Sequence, residues 1–156
     1  MESPEKVGFS EPDARLIFIG KIRTPFMTRA DCPRNVRNAR VNGGTARVEV
    51  SSAFRPGLRR LGAYSHVILL YWMDEAARDL LVQRPAHLSE ERGVFSIRSP
   101  ARPNPIALAV ANLIDLDEAA GVLTVEQLDC RDGTPLIDIK PYYPSIDAVP
   151  DAVTHG

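Results

Sequence analysis

The stretch GVFSIRSPARPNPIALAV, residues 93–110, decides how this chain folds. It begins and ends with apolar residues typical of strands, and its middle, residues 98–105, holds two arginines and three prolines. Proline fixes its own φ angle and lacks an amide donor, and it pushes the residue before it toward extended backbone. Residues 98–105 are therefore predicted to form a stiff, extended connection between two strands.

Two roles are open for the arginines of this connection. A stiff backbone would hold Arg98 and Arg102 in place with little entropy left to lose on binding. An arginine presents a planar fork suited to a carboxylate or a phosphate. In the alternative role, the same arginines cap carbonyl groups of the crossover or pair with acidic residues elsewhere. The spacing alone does not decide between these roles.

Further strands are predicted on both sides of this stretch from runs of β-branched and aromatic residues. The runs are ARLIFIG (14–20), TARVEVSSAF (45–54), SHVILLYW (65–72), PIALAVANLIDL (105–116), GVLTVEQL (121–128) and PLIDIK (135–140). The run at 65–72 is continuous, which predicts burial of both of its faces. The turn residues Asp132-Gly133 predict a hairpin between the last two strands, with Asp129, Arg131 and Asp132 at its tip.

The helix content is predicted to be small. Residues 74–82 are expected to form a helix, with Asp74 as its N-cap and Leu80 and Leu81 on its inner face. The order of elements indicates a mainly β protein, a single small antiparallel β-barrel with one or two short helices. Residues 1–13 are expected to be a disordered or frayed leader, residues 14–152 the barrel domain, and residues 153–156 a tail.

The composition limits the classes of protein. The 156 residues carry a formal net charge of −1, and 44% are hydrophobic. No apolar run approaches the roughly 20 residues of a membrane span, and no secretory signal is present, so a cytoplasmic protein with Cys32 and Cys130 reduced is expected. Glycine-rich nucleotide-binding motifs, a Cys-x-x-Cys pair and clustered histidines are all missing, which predicts no metal site and no Rossmann-type cofactor site.

The charge is unevenly distributed along the chain. Residues 21–47 hold seven lysines or arginines and one acid, whereas residues 115–152 hold nine acids and two bases. The basic part includes Pro33-Arg34-Asn35, and Tyr64-Ser65-His66 opens the most apolar run. Each of these groups has a plain structural interpretation, as a solvated loop or a hydrogen-bonded strand end, beside an interpretation as part of a binding site.

Taken together, these segments resemble one family. IGKIRTPF (19–26), GAYSHVILLYW (62–72), GVFSIRSPARPNPIALAV (93–110) and DGTPLIDIKPYYPSID (132–147) are similar, in this order, to the signatures of the TsaA-like (TrmO) family. Characterised members are tRNA N6-threonylcarbamoyladenosine methyltransferases. The resemblance covers roughly residues 16–152 and implies a β-barrel that binds S-adenosylmethionine without a Rossmann fold and forms a homodimer.

The resemblance also implies a set of site residues. The cofactor would contact Pro33, Arg34, Asn35, Ser65, His66, Arg98, Leu108, Asp129, Cys130, Arg131 and Asp132. An arginine fork from Arg98 or Arg34 suits the carboxylate of the cofactor, and Asp132 or Asp129 suits its cationic end or its ribose hydroxyls. Leu108 and the backbone of residues 129–131 suit the adenine.

The substrate implied by the resemblance is a modified adenosine beside the tRNA anticodon, in a single-stranded loop suited to stacking and a local basic patch. Candidates for the proton acceptor are Asp138, Lys140 and Tyr142, and candidates for RNA contacts are Arg37, Arg40, Arg102 and Asn104. Two alternatives stay open. One is an S-adenosylmethionine-binding barrel with another substrate or a non-catalytic role, and the other is a single-stranded RNA-binding barrel without a cofactor.

Overall fold

The computed structural model describes residues 6–8 and 11–155 and has one closed barrel of six antiparallel strands. The barrel strands are β1 (Gly20–Arg23), β2 (Thr45–Val50), β3 (His66–Trp72), β6 (Ile106–Asp117), β7 (Val122–Glu126) and β8 (Thr134–Pro141). A separate two-stranded sheet pairs β4 (Val82–Gln83) with β5 (Arg92–Gly93), and the α-helices are α1 (Val36–Asn42) and α2 (Pro144–Asp147). The expected fold class, a mainly β protein with a small antiparallel barrel, is confirmed.

The barrel closes in the order β1-β2-β7-β6-β3-β8, with β8 pairing back to β1. Alternate side chains of each strand point inward and fill the interior, as expected for a barrel of this size. Ile22, Val48, Leu69, Leu123 and Leu136 are fully buried there. Residues from distant parts of the sequence thus pack into one core, which fixes the positions of the loops at both ends of the barrel.

The first strand begins later than the sequence predicts. Residues 14–19 are not in a strand, and β1 starts at Gly20, the last residue of the predicted run. A Cβ atom at Gly20 would lie 2.0 Å from the carbonyl oxygen of Glu49 on β2. Glycine therefore allows the two strands to approach at the point where pairing begins.

The prediction that both faces of residues 65–72 are buried is wrong. Along β3 the inward residues Val67, Leu69 and Tyr71 are buried, whereas the residues between them are only half-buried. β3 belongs to the barrel wall, so only its inner face packs against the core. The outward apolar side chains Ile68, Leu70 and Trp72 have no second layer of the described structure over them. The outward residues of β3 lie beside outward residues of β6, because Leu70 pairs with Leu108.

The helix predicted at residues 74–82 is wrong. Those residues form turns, an isolated bridge between Leu80 and Lys6, and the start of β4. Tertiary contacts explain the difference, since the Leu81 carbonyl accepts from the amide of Val94 and the Arg78 guanidinium stacks on Trp72 at 5.2 Å. Pairing with neighbouring segments outweighs a local helix preference here.

The helix that forms instead, α1, lies in the basic segment that the sequence suggested was a loop. Asn35 is its N-cap, and Oδ1 of Asn35 accepts a hydrogen bond from the backbone amide of Asn38 over 2.9 Å. Ala39 is buried against the barrel, and Gly43, with φ of 76°, ends the helix. A seven-residue helix with one buried alanine has too weak a hydrophobic period to be read from sequence.

The predicted hairpin between the last two strands is also wrong. β7 pairs with β2 and β6, whereas β8 pairs with β1 and β3, so residues 127–133 cross the end of the barrel rather than turning back on themselves. The tight turn at Gly133 is present, with φ of 79°. This crossing carries Asp129 and Arg131 over the barrel opening, next to the start of β6.

The division into leader, barrel and tail stays a prediction, and residues 1–5, 9, 10 and 156 lie outside the described residues. Lys6 and Val7 bond to the chain at residues 79–80. No helix in the described part of the chain has the length and hydropathy to cross a bilayer.

Candidate functional site

A cavity of about 790 Å³ opens at the end of the barrel where β3 ends and β6 begins. Its volume lies in the range of small-molecule sites. Its walls come from residues 29–37, 71–76, 98–108 and 129–134. The charged lining residues are six arginines and three acids: Arg29, Arg34, Arg37, Arg98, Arg102, Arg131, Asp74, Glu75 and Asp129.

The proline-rich connection forms one wall of the cavity, and its two arginines differ. Arg102 donates to the carbonyl oxygens of Val94 and Ile97, and its Nε lies 3.0 Å from the carbonyl oxygen of Ser99. Arg98 is exposed and has no hydrogen bond or ion pair to any described residue. Arg102 therefore caps carbonyl groups of the connection, which is one of the two roles that the sequence left open. Arg98 keeps a guanidinium that is available to a ligand.

The segment around the start of α1 supplies another wall. Arg34 precedes the capping residue Asn35, Arg37 follows it, and Arg29 lies in a short 3-10 helix before it. All three arginine side chains lack a hydrogen-bond or ion-pair partner among the residues that the structure describes. An unpaired cation on a cavity wall attracts anionic ligands, because no neighbouring carboxylate offsets its charge.

The buried Tyr71 and the half-buried Asp129 form a polar pair in the cavity. Tyr71 is 2% exposed, and its hydroxyl donates to Oδ1 of Asp129 over 3.1 Å. Burial raises the pKa of Asp129, although the hydrogen bond from Tyr71 opposes the shift. Burial, followed by the nearby Asp129 carboxylate, raises the pKa of Tyr71 well above its ordinary value. The hydroxyl of Tyr71 therefore keeps its proton at neutral pH and acts as a donor.

The neighbours of Asp129 in the crossing segment have different surroundings. Cys130 is fully buried in the core, and burial raises its pKa to about 12, so its thiol stays neutral. Asp132 accepts from the backbone amide of Thr24 at 3.1 Å and from Nη1 of Arg23 at 3.3 Å. Neither Cys130 nor Asp132 lines the cavity. Of the two acids that the sequence offered for a cationic ligand group, Asp129 is the one on the cavity wall.

Arg131 forms ion pairs with two of the three acids that line the cavity. Its Nη2 lies 3.4 Å from Oδ1 of Asp74, and its Nε lies 3.4 Å from Oε1 of Glu75. Three charged groups are thus engaged with one another. What is left is the half-buried carboxylate of Asp129 and the four partnerless arginines: Arg29, Arg34, Arg37 and Arg98.

A second group of predicted site residues lies away from this cavity, where β3 begins and β8 ends. Oγ of Ser65 is 2.9 Å from Nδ1 of His66, and the rings of His66 and Tyr142 are 6.4 Å apart between centroids. Nζ of Lys140 lies 2.7 Å from Oδ2 of Asp138. None of these five residues lines the 790 Å³ cavity.

Two of the predicted RNA-contacting residues are held by other side chains. Arg40 donates to the carbonyl oxygen of Val110 and pairs with Glu126 at 3.1 Å. Glu126 in turn accepts from the amide of Asn112. Arg40 and Glu126 thus bond to the β6 backbone at Val110 and Asn112. Strand β7 does not pair with β6 there, because the β6–β7 pairing begins at Leu113. Oδ1 of Asn104 accepts from Arg78 at 3.3 Å.

Sequence reasoning did not single out Tyr71, Met73 or Arg29, all of which line the cavity. A signal existed for Tyr71 only. A tyrosine in a buried strand requires a hydrogen-bond partner for its hydroxyl, and Tyr71 is the one tyrosine inside the 65–72 run. Its partner, Asp129, is 58 residues away in sequence, a separation that local patterns do not reveal.

The cavity combines three chemical features. Partnerless arginines suit an anionic group, and the half-buried carboxylate of Asp129 suits a cation or hydroxyl groups. Pro33, Val36 and Leu108 offer apolar surface for a ring. Within the described ranges, no cluster of three or more His, Cys, Asp or Glu side chains is placed to hold a metal ion. The arrangement suits a zwitterionic organic ligand with a planar group.

Comparison with known proteins gives one family match and several relatives. Residues 21–148 match the family described as the tRNA-methyltransferase O N-terminal domain. An S-adenosyl-L-methionine-binding protein of Archaeoglobus fulgidus is 42% identical over 131 residues, which are 84% of this chain and 91% of that protein. The tRNA (adenine(37)-N6)-methyltransferase of Escherichia coli is 32% identical, over 86% of this chain and 60% of that enzyme.

The fold is shared with solved structures. The crystal structure of TrmO from Pseudomonas aeruginosa superposes with a TM-score of 0.72 at 35% identity, covering 91% of this chain and 61% of that one. Another Archaeoglobus fulgidus relative, a probable S-adenosyl-L-methionine-binding protein, is 43% identical, but this chain spans 35% of its length. The chain thus corresponds to nearly the whole of some relatives and to about a third to three fifths of others.

Proposed function

This chain belongs to the tRNA-methyltransferase O N-terminal domain family, and on that premise we propose that it is an S-adenosylmethionine-dependent methyltransferase acting on tRNA. The observation that carries the proposal is the 790 Å³ cavity. It gathers seven of the eleven cofactor residues that the sequence suggested: Pro33, Arg34, Asn35, Arg98, Leu108, Asp129 and Arg131.

The residues of the cavity fit the parts of the cofactor. Arg98 or Arg34 would hold the carboxylate, because both are free of partners. Asp129 would accept hydrogen bonds from the ammonium group or the ribose hydroxyls, and the Tyr71 hydroxyl fixes its orientation. Leu108 would contact the adenine. When bound, S-adenosylmethionine supplies a methyl group already activated by its sulfonium, so the protein needs only to position the acceptor, at about 3 Å, in line with it.

The proposed acceptor is N6 of threonylcarbamoyladenosine beside the tRNA anticodon. The cofactor has a single carboxylate, which needs one arginine. The other partnerless arginines of the cavity are therefore available for RNA phosphates. Arg29 and Arg37 are exposed and suit this role, with Arg37 already suggested by the sequence. Arg40, Arg102 and Asn104, the other suggested RNA contacts, are bonded to other groups of the chain and support the fold.

We further propose a homodimer, because the suggested site residues are divided between two places in one chain. His66 begins β3, directly after Ser65, and lies four residues from Leu70, the partner of Leu108, a separation of about 13 Å along a strand. Ile106 and Leu108, on the same outward face, are 42% and 47% exposed. A two-fold contact with antiparallel strands would bury this apolar face and bring His66 of one copy toward the cavity of the other.

The proposed dimer contact would also bring the suggested proton acceptors to the cavity of the partner chain. Tyr142 lies near His66, and Asp138 and Lys140 lie on β8 opposite Leu70 and Ile68 of β3. None of the three lines the first cavity of its own chain. In the proposed dimer they face the partner's cavity, where one of them would take the proton from N6. Lys140 is protonated beside Asp138, which raises the pKa of Lys140, so Asp138 or Tyr142 is the better acceptor.

The proposed location is the cytoplasm, where tRNA is modified. Both cysteines are free thiols, Cys32 half-buried and Cys130 buried, as expected in a reducing compartment.

The first test is thermal unfolding with S-adenosylmethionine, S-adenosylhomocysteine and ATP. A ligand at 100 times its Kd stabilises the folded state by about 2.7 kcal/mol, a shift of several degrees. We expect shifts with the first two ligands that depend on Arg98, and no Arg98-dependent shift with ATP. Transfer of labelled methyl to tRNA from cells lacking this activity follows, with Arg84→Ala, a distant exposed arginine, as the control for Arg98→Ala. No cofactor shift would overturn the proposal and favour RNA binding without a cofactor.

A second candidate function has one observation in its favour. The Archaeoglobus fulgidus relative that this chain matches over 91% of its length is named only for S-adenosyl-L-methionine binding. A thermal shift with the cofactor but no methyl transfer to tRNA would assign the chain to this class, a cofactor-binding barrel with another substrate or a non-catalytic role.

A further inference from the structure

A second cavity, of about 480 Å³, lies at the opposite end of the barrel, where β2 ends and β3 approaches. It shares no lining residue with the first cavity. Its lining residues are Ile19, Val50, Phe54, Gly57, Leu58, Arg59, Arg60, Leu61, Tyr64, Asp138, Ile139 and Pro141. Asp138 is also a proposed proton acceptor, and the other lining residues have no part in the proposed methyltransferase function.

The wall formed by residues 52–63 is held in place from outside the cavity. Arg55 donates to the carbonyl oxygen of Val50 at 3.3 Å and to that of Ala119 at 3.1 Å. The amide of Arg60 bonds to Oε1 of Glu118 at 3.3 Å. These contacts tie the loop to the end of β2 and to the turn between β6 and β7, so the cavity wall is fixed before any ligand arrives.

Two adjacent cations lie on this fixed wall. Arg59 and Arg60 are exposed, and neither guanidinium has a hydrogen bond or ion pair among the residues that the structure describes. Arg60 has φ of 69°, the one left-handed backbone conformation of a described residue other than glycine. Such strain costs about 1–3 kcal/mol and is concentrated at functional sites. The chain thus carries an arginine where glycine would be the relaxed choice.

Aromatic and apolar surface lies beside the two cations. Phe54 is 37% exposed and lines the cavity, and Tyr64 lines it with its ring held edge-on by Tyr143 at 5.6 Å between centroids. Leu58 and Leu61 are buried beneath. The one carboxylate of the lining, Asp138, is already paired with Lys140. The cavity therefore offers stacking surface and net positive charge together.

We propose that this second cavity is a nucleotide-binding site, with a phosphate on Arg59 and Arg60 and the base against Phe54 or Tyr64. Arginine forks match phosphate oxygens, and an aromatic ring accepts the face of any base. The shared chemistry of a free mononucleotide and a 5′-phosphorylated RNA end is a base with a terminal phosphate, and both fit this description. Within one chain the two cavities share no lining residue, so a ligand that fills the first cavity leaves the second open.

Isothermal titration calorimetry with AMP tests this proposal on the full chain, with S-adenosylhomocysteine at saturation to block the first cavity. We expect AMP to bind and the double variant Arg59→Ala/Arg60→Gly to weaken it at least tenfold. Adenosine and inorganic phosphate, each lacking one half of the recognised group, are expected to bind more weakly than AMP. Arg84→Ala is the matched control and should leave AMP affinity unchanged.

The glycine in the double variant keeps the left-handed backbone at position 60, so the variant should melt no lower than the parent chain. Titration of a 5′-phosphorylated trinucleotide RNA then separates the two sources, since tighter binding than AMP would assign the site to an RNA end. No AMP binding, or AMP binding unchanged in the double variant, overturns the proposal. AMP binding lost in Arg98→Ala instead would place the nucleotide in the first cavity and also overturns it, whatever the outcome for the cofactor.

Discussion

The hydroxyl of Tyr71 donates a hydrogen bond to Oδ1 of Asp129 over 3.1 Å, joining the middle of the sequence to the segment that crosses the barrel end. Tyr71 points inward from β3, and Asp129 lies in the crossing between β7 and β8. The carboxylate is the one acid of the first cavity without an arginine partner among the described residues. The pair thus places an unpaired carboxylate among four unpaired arginines, whereas Asp74 and Glu75 are engaged with Arg131.

Replacing Tyr71 by Phe should raise the pKa of Asp129 further. The hydrogen bond from Tyr71 opposes the effect of burial on that pKa, and its loss leaves burial unopposed. A hydrogen bond to a charged group contributes about 1.5–3 kcal/mol, so a loss of stability of that order is also expected. Titration of the carboxyl carbon of Asp129 by NMR measures the shift. Tyr143→Phe, at the other end of the barrel, should leave the Asp129 titration unchanged, and an unshifted titration in Tyr71→Phe would contradict the assignment.

Replacing Asp129 by Asn should change how stability depends on pH. Because the folded-state pKa of Asp129 is raised, folding favours its protonated form. The stability from this group is fully present below its unfolded pKa and is lost as the pH rises through the folded pKa. Asparagine does not titrate, so the variant should gain stability relative to the parent chain as the pH rises from about 4, the usual unfolded value for aspartate, through the folded pKa of Asp129, as measured by urea unfolding. Parallel stability curves would show that burial does not shift Asp129.

The barrel could be predicted from the sequence, whereas the connections at its ends could not. Alternating and continuous apolar runs located five of the six barrel strands within a few residues, because one buried face leaves a clear period of two. Residues 74–82 have helical spacing, yet strand pairing at Leu80 and Val82 and the stacking of Arg78 on Trp72 hold them in turns and short bridges. The route of residues 127–133 across the barrel depends on which strands pair, which is information that a local pattern lacks.

The sequence predicts which residues form the candidate site better than it predicts the role of each residue. Arg98 and Arg102 lie four residues apart in one proline-rich connection, and nothing local distinguishes them. The carbonyls that Arg102 caps come from residues 94–99, whose 3-10 turn exists only in the folded chain. In the same way Asp129 and Asp132 differ only because β1 brings Arg23 next to one of them. Tertiary partners, not spacing, decide which charges stay free.

The different roles of the two arginines predict opposite phenotypes. Arg102→Ala leaves three carbonyl groups without their donor and should destabilise the fold by about 2–3 kcal/mol. Arg98→Ala removes a side chain without partners, so its melting temperature should stay within a degree or two of the parent chain while its thermal shift with S-adenosylmethionine is lost. Differential scanning calorimetry with and without ligand measures both effects. An equal loss of stability in the two variants would refute the division of roles.

Arg37 and Arg40 lie on the same short helix and should contribute differently to RNA binding. Arg37 has no partner among the described residues, whereas Arg40 pairs with Glu126 and caps the edge of β6. If Arg37 contacts a phosphate, Arg37→Ala should weaken binding to an anticodon stem-loop and reduce the salt dependence of log K by about 0.7–0.9. Arg40→Ala should leave that slope unchanged and instead speed amide exchange at Asn112. Equal slopes for Arg37→Ala and the parent chain would remove Arg37 from the interface.

The proposed homodimer predicts that one substitution on the outward face affects assembly and catalysis together. Leu108 is 47% exposed on β6 and also lines the cavity, so Leu108→Glu alone would confuse the two effects. Ile114, 54% exposed on the same strand and absent from the cavity lining, avoids this difficulty. Ile114→Glu should convert the dimer to a monomer in light scattering, and methyl transfer should fall at least tenfold because the His66 cluster no longer reaches a partner's cavity. A monomeric Ile114→Glu variant with full activity would mean that each chain has a complete site, and Asp138, Lys140 and Tyr142 would then have no part in proton transfer.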